Sequence, residues 1–230
     1  MVIGGLQRFS LIDFPGKISA IIFTLGCNFR CPYCHNPELV DPKQYAETLQ
    51  QDNVMDFLKS RTGKLDAVVI SGGEPTLHAD LPDFVQRIKA MGFLVKLDTN
   101  GTNPDLLEEL ISRKLLDYVA MDIKAPLCKY EEIARVPVNM DAITQSIELL
   151  KHALIPHEFR TTIDKSLLTT KDIIDMAALL QGEELYILQQ CVTSKVLDKA
   201  FMENSKPYDD RQLDNVVTQA QKYVKRCFVR

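Results

Sequence analysis

The chain has 230 residues, 46% hydrophobic and 25% charged, which suits a folded globular protein with a core large enough to need no disulfide staples. Lys plus Arg total 27 against 31 Asp plus Glu, a net charge of −4, so a protein living on phosphate contacts is disfavoured and no nucleic-acid partner is expected. No apolar run reaches the roughly 18 residues of a membrane span, and Met1 to Arg8 lack the charged-then-apolar order of an export signal; the expectation is a cytoplasmic chain with no membrane partner.

In chain order, Pro15-Gly16 predicts a turn, and Ile18 to Leu25 a buried strand forming the second arm of a hairpin. Glu47 to Lys59 predicts a helix with Val54, Phe57 and Leu58 on one face. Asp66 to Ile70 is a short apolar strand. Asp80 is placed to cap a helix carrying Leu81, Phe84, Val85 and Ile88, and Gly92 stops it. Phe93 to Leu97 is the next strand, and Asn103-Pro104 opens a helix with Leu106, Leu107, Leu110 and Ile111 on its face. Strands over 117–123, 158–163 and 184–189 then alternate with helices over 141–152, 171–181 and 209–225.

No repeat, linker or low-complexity tract interrupts this order. Six strand–helix units with short apolar strands predict an α/β fold built on a parallel sheet, covered on both faces. A full eight-unit barrel takes about 250 residues, so an incomplete barrel and an open doubly wound sheet both remain. Lys222, Lys225, Arg226 and Arg230 read as a solvated basic helix end.

Six cysteines in such a chain are not expected to form disulfides. Cys27, Cys31 and Cys34 crowd into eight residues in a C-x3-C-x2-C pattern just after the first predicted parallel strand, while Cys128, Cys191 and Cys227 are scattered and read as ordinary thiols. Three thiolates on one tight loop can hold three irons of a [4Fe-4S] cube and leave the fourth open. A c-type haem site is the weaker reading of Cys31-x-x-Cys34-His35, because it needs an exported chain. Structural zinc is also weaker, because it wants a second ligand pair.

Ser71-Gly72-Gly73-Glu74-Pro75 follows the next strand. Its glycines let a ligand approach the backbone, and Glu74 offers an acceptor for an ammonium group. Cys27, Gly72, Asp98 and Asp122 all fall at the C-terminal ends of predicted strands, the rim where parallel α/β folds place their sites.

The C-x3-C-x2-C loop followed by Gly72-Gly73-Glu74-Pro75 resembles the radical S-adenosylmethionine (SAM) superfamily. The segments Gly5-Leu6-Gln7-Arg8-Phe9-Ser10-Leu11-Ile12-Asp13-Phe14-Pro15-Gly16-Lys17 and Thr24-Leu25-Gly26-Cys27 through Cys34-His35-Asn36-Pro37 resemble the activating proteins of anaerobic ribonucleoside-triphosphate reductase, relatives of pyruvate formate-lyase activating enzyme. The resemblance covers most of the chain. It implies a partial (β/α)6 TIM-like barrel with outer helices and an N-terminal hairpin extension, and a single radical SAM domain over 1–230.

It further implies that Cys27, Cys31 and Cys34 ligate a catalytic [4Fe-4S] cluster, whose open iron takes the amino and carboxylate groups of SAM. Gly72, Gly73 and Glu74 would bind the methionine end. Asp98 and Asn100 of Asp98-Thr99-Asn100-Gly101, Asp122 and Lys124 of Asp122-Ile123-Lys124, and, by a looser match, Arg160 would line the SAM pocket. Where the formate-lyase activases carry a histidine at the sixth strand end, this chain has Gln189-Gln190-Cys191.

The partners implied are a glycyl-radical enzyme, foremost anaerobic ribonucleoside-triphosphate reductase, and a low-potential electron donor such as flavodoxin or ferredoxin. A radical SAM enzyme acting on a small molecule, such as a deazapurine synthase, and a non-catalytic iron–sulfur protein are the alternatives.

Overall fold

A computed structural model describes all 230 residues. Its centre is one eight-stranded sheet with the strands in sequence order. They are β1 (Ile3–Ser10), β2 (Ser19–Thr24), β3 (Ala67–Gly72), β4 (Leu94–Thr99), β5 (Tyr118–Asp122), β6 (His157–Ile163), β7 (Leu185–Gln190) and β8 (Arg226–Val229). β1 runs antiparallel to β2, completing the expected hairpin, and every later pairing is parallel. β1 and β8 are the free edges, so the barrel is open.

The helices are α1 (Pro37–Val40), α2 (Gln51–Ser60), α3 (Leu81–Ala90), α4 (Pro104–Ser112), α5 (Tyr130–Ala134), α6 (Met140–His152), α7 (Thr170–Leu179), α8 (Lys199–Asn204) and α9 (Asp210–Ala220). Successive strand side chains point to opposite faces. Ala20 and Ile22, Val68 and Ile70, Val95 and Leu97, Val119 and Met121 join the apolar stripes of the helices in one outer core. Each fully buried Leu or Ile there contributes about 1.5–3 kcal/mol.

The opposite parity faces inward. At its lower end Phe14 from the β1–β2 turn packs on Ile21, Ala67 and Val69. Towards the strand ends this face is polar, with Lys96 and Asp98 on β4, Asp122 on β5, and Glu158, Arg160 and Thr162 on β6. Of the two architectures left by the strand–helix count, the structure is therefore the incomplete barrel with outer helices, and the expectation of wholly apolar strands is corrected, because the inner face turns towards its own charged groups.

Four local differences have physical causes. The helix expected from Glu47 begins at Gln51, because Leu49 pairs with Ile3 and its N–H donates to the Ile3 carbonyl. Asp80 precedes α3 without a side-chain cap bond; its carboxylate takes the Met1 ammonium and the Gln51 amide instead. The last helix ends at Ala220, and Arg226 to Val229 form β8, too short to carry a sequence signal. The basic residues there are exposed, as expected, but lie beyond the helix: Lys225 and Arg226 pair with Glu184 on the surface, and Arg230 reaches buried Glu158.

Two expectations hold: Asn103 caps α4 by accepting from Leu106 N–H, and Gly92 follows α3 with φ +88°. In α7, Thr169 and Asp172 form a reciprocal capping box that was not read from the sequence.

Candidate active site

The C-terminal ends of the strands open onto one cavity of about 400 Å³. Every residue chosen from the sequence as a site residue lines it: Cys27, Cys31, Cys34, Gly72, Gly73, Glu74, Asp98, Asn100, Asp122, Lys124 and Arg160.

The cysteine loop leaves β2 through Gly26, whose φ of +98° favours glycine. Gly26 N–H donates to Leu39 O at 2.8 Å. The Arg30 guanidinium donates to the Cys27 and Phe29 carbonyls, both at 2.7 Å, and Arg30 N–H donates to Ala134 O. Cys31 is buried, and Cys27 and Cys34 are half-buried. Burial pushes the Cys27 thiol up to about 12 and raises those of Cys31 and Cys34. His35 is exposed, its Nδ1 3.2 Å from the Lys195 carbonyl.

Gly72 and Gly73 brace this loop from β3. Gly73 N–H donates to Thr24 O at 2.9 Å and Glu74 N–H to Gly26 O at 2.8 Å. A Cβ on Gly73 would overlap the Gly26 carbonyl, and one on Gly72, at φ +118°, would overlap the Thr24 backbone. The glycines serve backbone-to-backbone contact as well as ligand approach.

Glu74 is 1% exposed and already engaged. Its Oε1 accepts from Thr76 N–H and from the Thr76 and Thr99 hydroxyls, and its Oε2 from Asn100 N–H. Burial raises its pKa and these bonds oppose the rise. Its carboxylate ties the ends of β3 and β4 together, and a ligand ammonium has only the remaining capacity of Oε2. The Asn100 amide donates to Asn28 Oδ1 at 2.8 Å, tying the β4 end to the cysteine loop.

The floor is a charge network. Arg160 Nε donates to Asp122 Oδ1 at 2.8 Å, and its Nη1 lies 3.4 Å from Asp98 Oδ2. Lys124 Nζ donates to Asp122 Oδ2 at 3.1 Å. Arg160 thus pairs with carboxylates on β5, its neighbouring strand, and on β4, one strand beyond, and lines the cavity as well. Burial alone would push both aspartates up. Arg160 and Lys96 outweigh it at Asp98, and Arg160 and Lys124 at Asp122, so both carboxyls sit below the usual range.

Their stabilising contribution is therefore complete above the unfolded carboxyl value of about 3.9 and is lost as pH falls through the depressed folded values. R160M is expected to lose about 3–5 kcal/mol in urea denaturation at pH 7, the scale for stranding buried charges. Its deficit relative to wild type should narrow as pH falls below about 4, because the aspartates of R160M take up protons at a pH where those of wild type stay ionised. A deficit independent of pH would contradict this assignment.

Several site residues were not picked out from the sequence: Asp13 and Thr162 line the cavity, and buried Lys96 touches Asp98. The alternation of charge in Lys96 and Asp98, and in Glu158, Arg160 and Thr162, is the pattern that marks an inner polar face. In the Gln189-Gln190-Cys191 segment only Gln189 lines the cavity; the Gln190 amide bonds Tyr208 N and O, and Cys191 is buried.

The donor set fits an iron–sulfur cube with SAM beside it. No three His, Cys, Asp or Glu side chains converge to hold a single ion, and a cube takes each thiolate on a different iron. The buried Tyr33 hydroxyl, which lines the cavity, makes no hydrogen bond within the chain, and a polar ligand in the cavity would supply one.

An open parallel barrel with three clustered thiols and a polar, charge-balanced pocket on its C-terminal rim defines an enzyme that seats a soft metal cluster next to a charged small molecule. The Radical SAM superfamily model matches residues 21–180, and the chain belongs to that superfamily. With membership come its cofactors, a [4Fe-4S] cluster and SAM.

A relative from Methanocaldococcus jannaschii, provisionally named a glycyl-radical enzyme activating enzyme, is 37% identical over all of this chain and 95% of its own length. The pyruvate formate-lyase-activating enzyme of Clostridium pasteurianum is 32% identical over 54% of this chain and 54% of its own length. The 7-carboxy-7-deazaguanine synthase of Aquifex aeolicus is 37% identical over 38% of each chain. This chain therefore spans about half or less of those last two. In structure, Streptococcus suis SuiB bound to S-adenosylmethionine superposes with a TM-score of 0.65 at 16% identity, over 91% of this chain and 51% of that one, a likeness of fold.

Proposed function

We propose that residues 1–230 form one radical SAM domain that activates a glycyl-radical enzyme, with anaerobic ribonucleoside-triphosphate reductase as the first partner to test. The observation that carries this reading is the full-length similarity to the M. jannaschii relative. The open seam between β1 and β8 supports it, because a closed barrel fills with side chains while an open one can admit a loop of another protein.

Cys27, Cys31 and Cys34 hold the cluster. The Gly72–Gly73 backbone and Glu74, with Asp98, Asn100, Asp122, Lys124 and Arg160, hold SAM. Bound together, cluster and SAM supply one-electron chemistry able to remove a hydrogen atom. The protein's own work is orientation and exclusion of water. Arg160 keeps both aspartates ionised and fixed, with Lys96 at Asp98 and Lys124 at Asp122, and Glu74 and Asn100 lock the β3 and β4 ends against the cysteine loop. Flavodoxin or ferredoxin is the class of electron donor. A glycine suits as target because no side chain blocks its Cα–H, which must come within about 3–3.5 Å of the reacting atom.

The test is anaerobic turnover with whole reductase carrying deuterated glycine at the radical site. Deuterium is expected in the 5′-deoxyadenosine product, with a glycyl-radical resonance on the partner. Turnover of SAM with a small deazapurine precursor, and no deuterium transfer from the reductase, would favour the small-molecule reading.

A further inference from the structure

Lys96 is 1% exposed and among the largest fully buried side chains, and its contacts reach beyond Asp98. An ammonium in such a place is costly unless its partners hold it. Its Nζ donates to the Asp13 carbonyl at 2.7 Å and lies 5.9 Å from the centre of the Tyr118 ring. It also stands 2.9 Å from Asp98 Oδ1, yet that oxygen accepts no aligned hydrogen bond. The directed bond goes to the turn, and the charge goes to the pocket.

Asp13 belongs to the turn between β1 and β2, and it lines the same cavity as Asp98. Otherwise the turn is lightly held. Ser10 Oγ bonds Asp13 and accepts from Ile12 and Asp13 N–H, Lys17 N–H donates to Phe14 O, and Phe14 is its one buried apolar anchor. Ile12 is 79% exposed.

We propose that Lys96 is a positioning residue that couples this turn to the pocket, bridging the Asp13 carbonyl and the Asp98 carboxylate so that a ligand filling the cavity fixes the turn beside the open seam. This rests on the reading of the cavity as the SAM site. The turn is then ordered by SAM before any macromolecular partner arrives, and Lys96 is what transmits that order. A neutral side chain of similar length at 96 would let the pocket fill while the turn stays loose.

The experiment is hydrogen–deuterium exchange on the cluster-loaded protein under anaerobic conditions, with and without SAM. In wild type, SAM is expected to slow exchange in segments 71–76 and 98–102 and, by about tenfold or more, in segment 10–18, the scale of a local opening made costlier by one linkage. In K96M, the two pocket segments should still be protected while 10–18 gains less than about twofold. K96R, which keeps a cation, should restore part of the protection. If K96M does not fold, by circular dichroism, K96Q removes the same charge with a polar side chain and should also leave 10–18 uncoupled while the pocket segments gain protection.

Equal protection of 10–18 in wild type and the uncoupled variant would overturn the proposal. So would protection of the pocket segments alone in wild type. No protection anywhere in wild type would instead refute the SAM-site reading, and the coupling with it.

Discussion

C31A, reconstituted anaerobically with iron and sulfide, is expected to lose the broad iron–sulfur absorbance and all SAM cleavage. C27A and C34A should do the same, while C128A, C191A and C227A should keep both. The contrast follows from placement. The first three thiols share one loop and line one cavity, whereas Cys128 is exposed on the surface and Cys191 and Cys227 are buried outside the cavity. A cube held by three thiolates has no protein ligand to replace a missing one, so a single deletion removes a third of its anchorage. Iron content and the visible spectrum measure the outcome. Loss of the cluster in C128A would establish a fourth protein ligand and remove the open iron on which SAM binding is argued.

G73A is expected to abolish cluster loading and SAM binding together. From the sequence alone, a side chain at 73 would obstruct the ligand and leave the cluster intact. The structure changes that expectation, because the added Cβ would overlap the Gly26 carbonyl oxygen and carbon and come within 3.2 Å of Cys27 N. These are backbone atoms and cannot rotate away. Relief requires moving the start of the cysteine loop or breaking the bond from Glu74 N–H to Gly26 O. Overpacking of this kind costs about 1–3 kcal/mol or more in stability, and the displaced loop carries the thiols. Iron content and SAM affinity should fall in parallel. Normal iron with lost SAM affinity would show instead that the loop gives way without harm and that the glycine serves ligand approach alone.

The elements most legible in the sequence were those with long apolar periods or strong caps. α3, α4, α6 and α7 emerged within one or two residues of the expected bounds because their stripes and stop signals agree. β8 was hidden because four residues carry no usable period, and the start of α2 was misplaced because a bridge from Leu49 to Ile3 overrides local helix preference. The segment after β7 lay outside sequence reasoning too. In the structure it crosses the cysteine loop, with Asp198 N–H on Pro32 O, Lys195 paired with Glu38, and the Phe201 ring edge-on to Tyr33.

By itself, the sequence determined the candidate donors and the rim that carries them. Thiol spacing sets how many soft ligands one loop can offer, and a motif at each strand end sets which rim holds the site. Both are properties of short segments and survive without knowledge of the fold. Only the tertiary structure decided what each polar residue does. Glu74 is bound within the chain by Thr76, Thr99 and Asn100, Arg160 joins Asp98 to Asp122, and Lys96 joins the β1–β2 turn to the pocket. Residues up to 83 apart meet in these contacts. Hydrogen bonds and buried ion pairs act over about 3 Å, so their partners are set by where the closed side of the barrel brings the strands together, which no local pattern encodes.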